Sequence, residues 1–372
     1  MDFDVGIYGA GALGRYIAAR LSHPFVFVDD TPEKQGTQID GAEVWSLPEF
    51  ARHCKKREPA PKLYSCIMQG DYHYNYFDRY NTVRAEYGVE LLPFPPLLLS
   101  LDGVWHFYEK RETLQTKKKR YLQLQERLAD ELSVRTLKGH VILRETGDLT
   151  ALVIVPPTFE EHRFFTAQMP DNINYVDVGA YDGDSLESFV VASDGRFARL
   201  WAVEPDAENR QRLEARMNRL LGKQASEKLT VIAEGITANG GEQQFHATGG
   251  MSSHITSAGG RDKNADNGYF MACSNGAAGV SELIKTRRLD ELDVPLPAAY
   301  KMDLEGADFD VLESSLSLVA RTRPFLELSV YHYPDDLLDM FDLVEGLHAG
   351  YRYYLRNYSS DGFDLRLYCI PE

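Results

Sequence analysis

Apolar residues recur along this chain in two rhythms: short continuous runs, and longer segments where they return every third or fourth position. The first rhythm predicts buried strands, the second amphipathic helices, and their alternation predicts a parallel, doubly wound sheet. DVGIYGA reads as a strand, after which Leu13, Ile17 and Leu21 share one helix face. PFVFVDD is a second strand ending in acid. GAEVWS, helix-like LPEFARHCKK, KLYSCIM, amphipathic YNYFDRYNTVRAEYG and apolar VELLPFPPLLL continue the alternation. Residues 105–139 read as mainly helical, and LTALVIV (149–155) as a weak strand before two prolines.

From Asn174 the alternation starts again. NYVDVGAY is a first strand; Asp184 is placed to cap the next helix with Glu187 as its capping-box partner, turning Leu186, Phe189 and Val190 inward. RLWAVEP is a second strand, and Leu213, Met217, Leu220 and Leu221 share a face of the helix after Asp206, up to Gly222. LTVIAEGI, AAYKMDLEG and RPFLELSV read as strands three to five. YRYYLRNY and FDLRLYCI, joined by SSDG, predict an antiparallel hairpin at the sheet edge. Residues 249–270 are glycine-rich and poor in apolar positions, so they read as a mobile loop over a site. The expected domains are 1–104, Rossmann-like; 105–160, a helical connector; and 161–372, a second and larger α/β domain.

Composition narrows the class. The 372 residues are 44% apolar and 26% charged, with no apolar run long enough to span a membrane. The N-terminus has acid at Asp2 and no basic leader, so a cytoplasmic protein is expected. A formal charge of -16 opposes nucleic-acid binding, and KKKR (117–120) lies among charges of both signs, as on a solvated helix face. Cys54, Cys66, Cys273 and Cys369 form no CxxC pair and read as small buried residues. The aromatic stretch DYHYNYFDRY (71–80) reads as core. Oligomeric state, a homo-oligomer included, is left open.

Two glycine turns carry the candidate chemistry. In GAGALG (9–14), Gly9, Gly11 and Gly14 permit a tight turn with free N–H groups at a helix start, and Asp29 ends the next strand where a carboxylate can meet ribose hydroxyls. That turn favours a nucleotide or nucleotide-sugar. In YVDVGAYDGDSLESF (175–189) the same strand–turn–helix order holds Asp177, Gly179, Tyr181, Asp182, Gly183 and Asp184. Carboxylates there repel a diphosphate and suit a cationic ligand; S-adenosylmethionine carries an ammonium and a sulfonium. Glu204 stands where it can take ribose hydroxyls, and Gly235 joins the expected cofactor set.

Four ordered blocks, YVDVGAYDGD, AVEPDAENRQRL, YKMDLEGADFDVLES and ELSVYHYPDDL, resemble the FkbM family of S-adenosylmethionine-dependent O-methyltransferases over roughly residues 160–372. Lys301, Asp303, Glu305 and Gly306 fit that family's Lys-x-Asp-x-Glu-Gly motif, and Asp308 takes its final acidic place. Tyr181-Asp182 replaces a common Asn. The resemblance implies a seven-stranded class I methyltransferase sheet and methyl transfer to a hydroxyl of a sugar, glycan or natural-product acceptor. The order VGIYGAGALG, FVFVDD, QGTQIDGAEVWSL, PEF is similar to a module at the front of sugar-modifying enzymes.

Within that reading, Asp303, Glu305 and His332 are the catalytic candidates, with His332 as general base and Asp303 also facing the cofactor. Asp303, Glu305, Glu327 and His332 could also form an oxygen and nitrogen metal site; their spacing is not diagnostic, so no metal is assigned. Lys301 alternates with Met302 along a strand, which also fits a structural role. Two other readings stay open: a nicotinamide-dependent oxidoreductase built on the first turn, and a non-catalytic nucleotide-binding partner in glycan assembly.

Overall fold

A computed structural model describes residues 3–67, 76–101, 107–109, 111–155, 160–247, 253–255 and 280–372. Its contacts divide these residues into two compact units. One holds residues up to 116 and 139–152; the other holds 117–138 and the described residues from 153 onward.

In the first unit the apolar runs form strands β1 (Val5–Tyr8), β2 (Phe25–Val28), β3 (Gln38–Ile39), β4 (Ala42–Trp45), β5 (Lys62–Ser65) and β6 (Leu91–Pro93). They make a sheet in the order β3-β4-β2-β1-β5-β6, parallel throughout except for β3 against β4. All four residues of β1 are buried, as expected of a central parallel strand covered on both faces. The helix Leu47–Cys54 starts at a capping box in which Ser46 and Glu49 exchange side-chain bonds. VELLPFPPLLL divides into β6 and the helix Phe94–Leu99, whose prolines sit in the first turn, where no N–H partner is lost.

The second unit carries β7 (Ile173–Val178), β8 (Phe197–Val203), β9 (Leu229–Ile232), β10 (Gly235–Ile236), β11 (Gly241–Ala247), β12 (His254–Ile255), β13 (Val280–Arg287), β14 (Ala298–Met302), β15 (Phe325–Ser329), β16 (Tyr351–Asn357) and β17 (Leu365–Pro371). Seven form one sheet in the order β16-β17-β15-β14-β7-β8-β9. β17 runs antiparallel to both its neighbours, so the hairpin inserts its second strand between β15 and the edge strand β16. This is the seven-stranded arrangement of class I methyltransferases. A smaller sheet, β10-β13-β11-β12, lies between β9 and β14 in sequence. GEQQFHA, the core of that insert, has too little apolar alternation to announce a strand.

Several expectations shift. LTVIAEGI is split: β9 joins the large sheet and β10, with Gly235, joins the small one against Thr286. LTALVIV is no strand. Asp148 caps a helical turn at Leu149–Ala151 instead, and Val155 finds one backbone acceptor, Asn357, at 2.8 Å rather than a ladder. In the basic run at 117–120, Lys118 and Lys119 are exposed as expected of a solvated face, whereas Lys117 and Arg120 are held in ion pairs. Lys117 meets Asp335 at 2.8 Å, and Arg120 meets Asp339 and Asp342 on the helix Asp336–Glu345. Cys66 and Cys369 are buried as expected. Cys273 and residues 71–75 lie outside the described residues, as does most of the expected loop at 249–270; Tyr80 packs against the first core.

Beneath the turn after β7, Phe189 is fully buried and stacks on Tyr175 with centroids 3.9 Å apart. Phe189→Ala therefore removes a ring the surroundings cannot refill, and the expected loss is about 3–5 kcal/mol in urea unfolding. A loss under about 1 kcal/mol would show that the core closes over the gap.

Candidate active site

The two glycine turns use their carboxylates differently. In the first, a Cβ on Gly14 would lie 1.9 Å from the Gly9 carbonyl oxygen, so glycine is needed where the helix Ala12–Ala18 leaves the turn. Asp29 is engaged by the chain itself. Its carboxylate accepts from the backbone N–H of Ala10 at 2.9 Å, the N–H of Thr31 at 2.9 Å and Lys34 Nζ at 3.0 Å. Burial works against its charge, but these donors hold its pKa below the usual carboxylate range. Asp30 accepts from Tyr8 and Arg79. Asp29 thus closes its own loop, and the acceptor capacity expected for a ribose is drawn inward.

In the second turn, Gly179 and Ala180 both donate to the Val203 carbonyl, at 3.1 and 3.0 Å, tying the end of β7 to the end of β8. Gly179 has φ of +87°, and a Cβ there would stand 2.0 Å from the Asp303 carbonyl oxygen. Only glycine lets the turn close on the end of β14. Glu204, the first residue beyond β8, accepts from Tyr181 N–H at 2.9 Å and Asp206 N–H at 2.8 Å. Asp182 and Asp184 are less available than their position in sequence suggests. Arg216 reaches Asp182 Oδ2 at 2.6 Å and Glu187 Oε2 at 2.6 Å, which takes both acids into one ion pair. Asp184 is the first residue of its helix rather than its cap; Gly183, at φ of +86°, occupies the cap position, and Asp184 Oδ1 accepts from Ser185 N–H.

Asp177, Lys301 and Glu327 stand side by side in register on β7, β14 and β15. Lys301 Nζ donates to Asp177 Oδ1 at 3.1 Å, with both side chains buried. Arg366 on β17 binds Glu327 and, at 2.8 Å, Asp364. Burial raises the Asp177 carboxyl to about 6, with Lys301 pulling it back. Lys301 itself stays protonated, because Asp177, Asp303 and Glu327 outweigh its burial. Its place in this row makes it a structural cation as well as a motif residue. Glu327 belongs to the same row and pairs with Arg366.

The carboxyl ends of β14 and β15 bring together Asp303, Glu305, Asp308 and His332. His332 is 1% exposed. Its Nδ1 lies 3.1 Å from Asp308 Oδ2, and its Nε2 lies 3.4 Å from Asp303 Oδ1 and 3.9 Å from Glu305 Oε2. Burial alone would lower the imidazole pKa, but Asp308, Asp303 and Glu305 raise it to about 10. Asp308 is anchored by the backbone N–H groups of Leu304 at 3.0 Å and Gly306 at 3.3 Å. Tyr331 Oη donates to Asp303 Oδ1 at 3.4 Å. Arg366, Asp364 and Tyr331 were not among the expected site residues. The signal for Arg366 and Asp364 was charge within an otherwise apolar strand, FDLRLYCI, whereas Tyr331 had none.

Residues 177–353 match the family model described as the methyltransferase FkbM domain. The match begins at Asp177 and takes in Glu204, Asp303, Glu305 and His332. No curated protein matches the chain. Among solved structures, methyltransferase FkbM from Methylobacillus flagellatus KT aligns with a TM-score of 0.70 and 22% identity, covering 98% of this chain and 89% of that one. An rRNA methylase from Streptococcus thermophilus aligns with a TM-score of 0.35 and 13% identity over 59% of this chain and 98% of its own. The fold is that of the class I methyltransferases, and the family match over its sheet supports a methyltransferase. Among the described residues, no helix is long and apolar enough to cross a membrane.

Burial raises the Glu204 carboxyl from 4.5 to about 7, against the donors from Asp206 and Tyr181. A folded-state pKa above the unfolded one means that the folded protein holds this proton more tightly. The corresponding stability is present below about pH 4.5 and is lost as pH rises through about 7. Glu204→Gln should flatten that share of the pH dependence, by about 3 kcal/mol at most. Urea unfolding of both proteins at about pH 5 and about pH 8 checks this; equal slopes would mean that Glu204 is not perturbed.

Proposed function

We propose that the second unit is an S-adenosylmethionine-dependent O-methyltransferase acting on a hydroxyl of a sugar, glycan or natural-product acceptor. The observation that carries the cofactor reading is Glu204. Its carboxylate stands at the end of β8 directly against the turn after β7, bonded to Tyr181 N–H and Asp206 N–H. In a doubly wound sheet, this carboxyl edge of neighbouring strands is where ligands bind, and an acid there accepts bonds from ribose hydroxyls. Asp177, Gly179, Tyr181 and Gly183 shape the adjoining turn, with Asp177 supplying charge toward the cationic portion of the cofactor. Asp182 and Asp184 support the turn through Arg216 and Ser185. Gly235 is a packing position in the small sheet.

The acceptor stands beside Asp303, Glu305 and His332. S-adenosylmethionine, held along the turn after β7 and by Glu204, would supply the methyl group by in-line displacement, with the C–S electron pair staying on sulfur as the O–C bond forms; the thioether product is neutral, so no acid would be needed there and alignment would do much of the work. The hydroxyl proton must go to a base. His332, the expected base, instead holds its own proton at neutral pH among three carboxylates. The carboxylate pair Asp303 and Glu305 is the better acceptor, with His332 positioning it.

Calorimetric titration with S-adenosylhomocysteine tests the reading, with NAD and a UDP-sugar as comparison ligands. Wild-type binding that weakens at least about tenfold in both Asp177→Asn and Glu204→Gln is expected, since each removes a charge-assisted bond. Uptake of NAD or a UDP-sugar with none of S-adenosylhomocysteine would move the function to the first unit.

A further inference from the structure

We propose that Asp303, Glu305 and His332 form a divalent-cation site, occupied by a first-row ion such as Mn2+. Its purpose rests on the methyltransferase reading, because an ion there would face the acceptor; its existence does not.

One ligand atom from each of the three residues lies within 4.8 Å of the others. Ligands at about 2.0–2.6 Å from a common ion span that much space. The donors approach from two segments, the turn after β14 and the end of β15, so they surround a point instead of lining a strand. Asp303 and Glu305 retain side-chain exposures of 20% and 24%, whereas His332 is buried behind them. An ion held by the three would keep an open side.

The imidazole is oriented as a ligand needs to be once an incoming ion displaces the Nε2 proton. Asp308, fixed by two backbone N–H groups, lies 3.1 Å from Nδ1 and turns Nε2 toward Asp303 and Glu305. A carboxylate on the far nitrogen of a ligating histidine sets its tautomer and raises its basicity. Charge points the same way. Three carboxylates, those of Asp303, Glu305 and Asp308, surround one imidazole, while the nearby cation Lys301 is committed to Asp177. A divalent ion offsets that excess in a single step. Two carboxylate oxygens with one imidazole nitrogen suit Mn2+ or a similar ion better than Ca2+, which prefers oxygen alone. Bound there, it would polarise an acceptor hydroxyl and lower its pKa, easing loss of the proton to the second oxygen of Asp303 or Glu305.

The test titrates Mn2+ into EDTA-treated, desalted full-length protein and reads free ion by electron paramagnetic resonance, with S-adenosylhomocysteine binding measured alongside. One ion per chain is expected. Asp303→Asn and His332→Ala should each weaken it at least about tenfold. Spin-echo modulation from an imidazole nitrogen should appear in wild type and vanish in His332→Ala; if that variant fails to fold, the wild-type signal and Asp303→Asn decide. Absence of stoichiometric Mn2+, or unchanged affinity in the folded variants, overturns the site. Mn2+ bound without S-adenosylhomocysteine would instead overturn the methyltransferase reading and leave the cation site standing.

Discussion

Ionised side chains in an apolar interior need partners, and the second unit depends on how it meets that demand. Asp177, Lys301, Glu327, Arg366 and Asp364 are all buried at the ends of β7, β14, β15 and β17. Their signs alternate along the row, so each charge is taken out of water next to an opposite one. Removing one partner leaves another uncompensated at a cost of several kcal/mol. The parallel register sets Lys301 between Asp177 and Glu327, and Arg366 brings the antiparallel strand β17 into the same network. A slip of one residue would turn Lys301 to the opposite face and break the row.

That row joins the two halves of the candidate site. On one side of it, the turn after β7 closes against Asp303 through Gly179 and against Val203 through two backbone bonds. On the other, the turns after β14 and β15 gather Asp303, Glu305, Asp308 and His332. Asp303 belongs to both, because its backbone receives the turn while its side chain faces His332. Desolvation raises Asp177, Glu204 and Glu305 toward neutrality, to about 6, 7 and 7. Groups in that range change protonation when a ligand brings or removes charge.

The first unit shows how a similar turn can reach another balance. Its β1 to β2 passage has the glycines and the acid of a nucleotide site, yet Asp29 accepts from Ala10, Thr31 and Lys34. A carboxylate already satisfied three ways has less to offer a ribose. In the second unit Glu204 also accepts from three donors, Tyr181 N–H, Asp206 N–H and, at 3.5 Å, Asn209, but burial keeps its pKa high, whereas the donors on Asp29 lower it.

The sequence by itself determined most elements of the two larger sheets, because their signals are local. Apolar runs gave the parallel strands, the glycine turns followed from backbone freedom, and acids at strand ends marked Asp177 and Glu204 as candidates, with Asp303, Glu305 and His332 added within the family resemblance. What it left undecided were choices made by residues far apart in the chain. Arg216 claims Asp182 from a distant helix, Arg366 claims Glu327 from the antiparallel strand, and Asp335 with the helix Asp336–Glu345 claims Lys117 and Arg120. His332 could be named as a candidate from its neighbours, but not that three carboxylates raise its pKa. Burial lowers that pKa while Asp308, Asp303 and Glu305 raise it, and only the packing of β14 beside β15 brings those carboxylates to one imidazole ring.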